Sequence, residues 1–132
     1  LGNVVSRGAR ARKNRRKCSI MFTCAVISNE GYVIVRTLPE PITYDEMVSV
    51  VGGYIEGVYL DGATAYVNEE GKLEGLPKNT YATNLAWSHK AIYGDDWIAG
   101  NMLIVGDCDD EGEMTSLTTE WLNANLKEIA NV

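Results

Sequence analysis

Apolar runs of strand length alternate with three apolar stripes at helical spacing along this chain. Residues 22–28 are apolar and β-branched, Asn29-Glu30-Gly31 follows, and the apolar run resumes at Tyr32-Val33-Ile34-Val35-Arg36. Two such runs around a short glycine-containing turn predict a hairpin, and Pro39 and Pro41 end its pairing. Thr43 with Glu46 three residues on is a capping-box signature, and Tyr44, Met47, Val48 and Val51 share one face of the helix it starts. Gly52-Gly53 closes that helix. Residues 54–60 and 63–68 flank Asp61-Gly62, a dipeptide suited to a type I′ hairpin turn. A second turn at 69–72 leads into an irregular loop marked by Gly75 and Pro77. Asn79 then caps a helix expected to run to about Ile92, with Ala82, Leu85, Ala86, His89 and Tyr93 inward. Gly94-Asp95-Asp96 breaks it, residues 102–105 form a buried-strand run, and 106–113 is an acidic loop. Thr118 caps a last helix whose apolar side holds Trp121, Leu122, Leu126 and Ile129. The order is ββ-α-ββ-α-β-α. It predicts a small α+β domain, an antiparallel or mixed sheet with helices on one face.

Charge divides the chain near residue 20. At 132 residues, 45% hydrophobic and 23% charged, it has the size and composition of one globular domain. Residues 1–20 hold seven of the twelve basic side chains and no acid, whereas residues 21–132 hold all eighteen acids and five bases, a net −13. We therefore expect a basic, disordered leader or tail at 1–20 and an acidic globular domain at 21–132. Three roles fit the basic segment: an arm for nucleic acid or a membrane surface, a tail folding back on the acidic body, or translated leader. For the leader, Arg15-Arg16-Lys17 can be encoded by a purine run like a ribosome-binding site, shortly upstream of Met21. The acidic body is not expected to bind nucleic acid directly, because it would repel phosphates. Neither a membrane-spanning stretch nor a secretory apolar segment is evident, so an intracellular, cytoplasmic location is expected.

Candidate chemistry is sparse. Cys18, Cys24 and Cys108 show no zinc spacing with the single His89, and no metal or cofactor is expected. Asp107, Asp109, Glu111 and Gly112 partly match the start of an EF-hand loop, but its twelfth position is Thr118 and a strand precedes it. An ordinary solvated turn is the main reading, with weak, nonselective Ca²⁺ binding the remainder; Asp110 and Glu113 belong to the same acidic loop. His89 reads as a packed histidine on an apolar helix face, lacking the orienting group and oxyanion site of a nucleophile pair. Gly52-Gly53 follows a helix and precedes a strand, the reverse of a phosphate cradle. No residue is assigned a catalytic role. Glu56 lies in an otherwise apolar strand, either solvent-facing or a contact point for a ligand or partner. With it, Tyr54, Asn79 and Asp96 make the candidate binding set.

Several strings resemble an uncharacterised family, domain of unknown function 3846. They are Val51-Gly52-Gly53-Tyr54-Ile55-Glu56 and the run from Val67 to Asn79, which contains E-G-K-L-E-G-L-P-K-N. Ala82-Thr83, Asp96-Trp97-Ile98-Ala99-Gly100, Leu103-Ile104-Val105-Gly106 and Ser116-Leu117-Thr118 fit as well. The resemblance covers most of residues 21–132 and implies a bacteriophage, plasmid or other mobile element, or its bacterial host, as source. It implies no activity, cofactor or catalytic residue.

Two functions follow as expectations. One is a non-enzymatic acidic protein that binds a basic host or phage protein, conceivably by mimicking nucleic acid. The other is a small-ligand or nucleotide-binding module using the stretch from Gly53 to Glu56 with Asn79. An enzyme is the weaker expectation.

Overall fold

The computed structural model describes residues 21–126; the basic segment 1–20 and Ile129 lie outside the described residues. β1 (Phe22–Ile27) and β2 (Val33–Leu38) form the first hairpin, followed by α1 (Tyr44–Val51). β3 (Ile55–Leu60) and β4 (Ala63–Asn68) form the second, followed by α2 (Thr80–Ser88), β5 (Met102–Gly106) and α3 (Thr119–Asn125). This is the predicted α+β order. The strands make one sheet, β2-β1-β5-β4-β3, antiparallel at every pairing.

The last strand in sequence is therefore the middle strand in space. All five residues of β5 are buried, which explains an unbroken Met-Leu-Ile-Val run: a strand covered on both faces has no solvent side on which to place polar residues. On one face Ile27, Ala65, Met102 and Ile104 pack against Leu85 and Ala86 of α2 and Trp121 and Leu122 of α3. On the other, Phe22, Cys24, Val26, Leu103 and Val105 pack against Ile42 and Met47. The helices are thus divided between the two faces, not gathered on one as predicted. β1 and β5 are apolar on both sides and need cover on both, and α1 supplies the second.

α1 shows how directly the sequence acts. Thr43 Oγ1 accepts the Glu46 N–H at 3.1 Å, and Glu46 Oε1 accepts the Thr43 N–H at 2.9 Å. That backbone bond, then the Thr43 hydroxyl, holds the Glu46 carboxyl below its ordinary range. Gly52 ends the helix at φ 85°, its N–H donating to Val48 O at 2.7 Å. Thr43→Ala removes the side-chain half of this box and should lower stability by about 1 kcal/mol, read from the urea midpoint.

Two local features differ from the sequence reading. In the β3–β4 turn only Gly62 takes positive φ, at 87°, the type II pattern in place of type I′. The turn is docked rather than free: the Asp61 N–H donates to His89 Nδ1 at 2.9 Å, and its carbonyl accepts the Trp121 indole N–H at 2.8 Å. His89 Nε2, left to carry the ring hydrogen, meets Asn125 Oδ1 at 2.9 Å. The histidine is a half-buried brace between the turn, α2 and α3. Second, α2 stops at Ser88, four residues early, because Lys90 turns left-handed at φ 59° and the Ala91 N–H reaches back to Ala86 O. Tyr93 consequently leaves the inward stripe and is exposed.

Candidate functional site

The early end of α2 shapes a cleft. Past Ser88 the chain runs on as a loop, and residues 90–92 and 96–99 face the turn at 69–73, the middle of β3 and the end of β4. The resulting cavity is about 650 Å³. Its floor is apolar, from buried Val58, Val67, Ile92, Ile98 and Ala99. Its rim carries four exposed carboxylates, Glu56, Glu69, Glu70 and Asp96, and two exposed ammonium groups, Lys72 and Lys90.

Lys72 and Asp96 form an ion pair across the cleft, with both side chains 47% exposed. The Lys72 ammonium also stands 5.2 Å from the centre of the Trp97 ring, within cation–π range. Asp96 Oδ1 accepts the Trp97 N–H at 2.8 Å as well. The Lys72 hydrogen bond first, and that N–H second, hold the Asp96 carboxyl below its ordinary range. A carboxylate and an indole face thus share one cation.

The loop wall is fixed from behind by Asn79. Its backbone N–H donates to Ile98 O at 2.8 Å, and Thr83 Oγ1 accepts the Ile98 N–H at 2.9 Å. The Asn79 side chain, 1% exposed, accepts the Ala82 N–H through Oδ1 at 3.0 Å. Its Nδ2 donates to Ile27 O and Gly100 O, both at 2.9 Å. Every polar atom of that amide is therefore used within the fold.

Of the candidate residues, the structure brings Glu56 and Asp96 together on the cleft rim. Asn79 lies behind the wall, and Tyr54 is 70% exposed just before β3, outside the cleft lining. The acidic loop, with Asp107, Asp109, Asp110, Glu111 and Glu113, leaves β5 after Gly106, which pairs with Ala63 at the far end of β4 from the cleft. It is a compact hairpin closed by a Cys108–Met114 bridge. Asp109 Oδ1 accepts the N–H groups of Glu111 and Glu113, each at 2.9 Å, so the loop's own backbone occupies that oxygen. Among the described residues no group of three or more His, Cys, Asp or Glu is placed to hold a metal ion. Burial pushes the Cys24 thiol up, and burial, then Cys108 and Tyr59, push the Tyr66 hydroxyl up. No helix among the described residues is long and apolar enough to cross a membrane.

The family model described as "Domain of unknown function (DUF3846)" matches residues 22–130. The chain belongs to this family. No curated protein and no solved structure matches it. Two of the strings that carry the DUF3846 resemblance turn out to be neighbours in space. The segments 67–79 and 96–100 meet through a Lys78–Ala99 bridge, the Gly100 N–H to Pro77 O bond of 2.8 Å and the Lys72–Asp96 pair. Glu69, Glu70, Lys72, Lys90 and Trp97 are among the cleft residues that sequence reasoning missed. The available signal was in those strings, which contain Lys72 and Trp97, but nothing in their spacing says that they touch.

Proposed function

We propose that this DUF3846 protein is a non-enzymatic binding protein of a phage or other mobile element, docking a basic host or phage protein through its carboxylates. One observation carries the reading. All seventeen acidic residues between 21 and 126 are exposed, and Lys72–Asp96 is the one ion pair among the described residues. Sixteen carboxylates therefore stand in solvent without a cationic partner there. Such a surface attracts and steers cationic partners and repels nucleic acid. The test is to capture partners from a host lysate, purify them and measure affinity at graded salt. The expected partner is basic, and its binding should weaken at least about tenfold as NaCl rises from roughly 0.05 to 0.3 M. Salt-insensitive binding to neutral partners would overturn the proposal.

The cleft supports a second reading, a small-ligand or nucleotide-binding module built on Glu56 and Asp96. Its volume of about 650 Å³ is in the range of small-molecule sites. Thermal-shift screening separates the two, since a ligand at 100 times its Kd adds about 2.7 kcal/mol to native stability.

A further inference from the structure

We infer that the cleft beside β3 receives an extended basic segment of the partner protein, one of whose arginine or lysine side chains displaces Lys72 from between Asp96 and Trp97. The inference rests on the docking reading above and locates where recognition occurs.

β3 is an outer strand, paired with β4 alone. The Glu69 N–H donates to Tyr54 O at 2.8 Å, which continues the ladder to Tyr54 and fixes its phase. Antiparallel alternation then directs the N–H and C=O groups of Glu56, Val58 and Leu60 to β4 and those of Ile55, Gly57 and Tyr59 outward. An extended chain can pair with those outward groups as a sixth strand. Its alternate side chains would lie on the same face as Glu56 and Val58, over the cleft.

Charge decides what chain that is. The rim holds four carboxylates and two ammonium groups, so it favours cations. The sheet's other edge differs: β2 exposes Ile34, Val35 and Arg36, and residues 31–39 contain no acid. Only the β3 edge joins open backbone to anionic walls.

Lys72 marks where a partner cation would sit. Its ammonium already contacts a carboxylate and an indole face, the two groups that hold a cation best at a wet surface. The pair is half exposed, so it restrains Lys72 weakly and can exchange. An incoming guanidinium suits the seat better than an ammonium, because its plane stacks on the indole while its fork meets the carboxylate.

The experiment titrates the full chain with a fluorescein-labelled octapeptide of alternating arginine and threonine, and with free arginine amide. Lys72→Ala, which empties the seat, should bind the peptide about five- to tenfold tighter than wild type. Lys78→Ala removes the same charge outside the cleft and should change affinity less than about twofold. Asp96→Asn should bind about fivefold or more weakly, and the remote Glu120→Gln less than about twofold so. In wild-type protein, NMR should show shifts at the Trp97 indole N–H and at the amides of Ile55, Gly57 and Tyr59. Equal effects of Lys72→Ala and Lys78→Ala, or shifts confined to residues 107–113, overturn the cleft inference while salt-dependent docking stands. Free arginine amide binding as tightly as the peptide overturns it in favour of a small cationic ligand. Absence of salt-dependent peptide binding in every variant overturns the docking reading itself.

Discussion

Asn79→Ala should destabilise the domain by about 3–5 kcal/mol, far more than one polar side chain ordinarily contributes. The residue is 1% exposed, and truncation removes three hydrogen bonds at once. The Ala82 N–H in the first turn of α2 loses its cap, worth about 0.5–2 kcal/mol. The Gly100 carbonyl loses its donor inside the protein, at about 1–3 kcal/mol for a buried group left unsatisfied. The Ile27 carbonyl, which also pairs with Met102 in the sheet, loses its second bond, worth about 0.5–1.5 kcal/mol. Asn79→Asp sharpens the test. Aspartate caps helices as well as asparagine does, so a purely local role predicts a mild effect. Here the carboxylate would set an oxygen against two carbonyl oxygens, and the loss should equal or exceed that of alanine. Urea unfolding with an unchanged m-value measures both. A loss below about 1 kcal/mol for either variant would contradict this account. Because Asn79 also holds Ile98 and Gly100, any Asn79 variant that does fold should show displaced Trp97 and Asp96 and a disturbed cleft.

This one residue shows what the chain disclosed before its structure was known. That Asn79 begins a helix was legible, because capping is a contact between residues three apart. Its donation to β1 and to the segment before β5 was not, because those carbonyls lie in or beside strands whose order in the sheet no local pattern fixes. The same division runs through the molecule. The hairpins, the capping box and the buried run at 102–105 depend on near neighbours and were readable. The placement of α1 on the opposite face depends on β1 being apolar on both sides while lying inside the sheet. The end of α2 was misread for a different reason. Its left-handed residue is Lys90, where glycine or asparagine would have announced the stop, and the apolar spacing continues past it to Ile92. At the site, Glu56 was visible as a charge in an apolar strand. Its neighbours on the cleft rim come from separate loops, and only the fold assembles them.

Gly106→Ala should cost about 3 kcal/mol, although it adds a single methyl group at the end of β5. A Cβ there would stand 2.5 Å from Thr115 Oγ1, 3.0 Å from the Ser116 carbonyl carbon, and closer still to the Ser116 carbonyl oxygen. The threonine hydroxyl can rotate away, but a backbone carbonyl cannot. That segment is pinned, since Thr115 O accepts the Gly106 N–H and the Leu117 N–H donates to Thr23 O, each at 2.9 Å. Ser116 Oγ also accepts the Thr23 N–H at 2.7 Å. Relief therefore requires moving residues 115–117 away from β1 and β5, and overpacking of this kind costs about 1–3 kcal/mol or more. A loss under about 0.5 kcal/mol would mean that the segment yields freely. The substitution also separates two forms of the docking proposal. It leaves the number of carboxylates unchanged while shifting the hairpin that presents Asp107 to Glu113. If the whole anionic field draws in the partner, the association rate of folded Gly106→Ala should match wild type. If binding proceeds through the cleft at the other end of β4, the dissociation rate should match as well. A faster dissociation rate in this variant alone would assign the contact to the acidic hairpin.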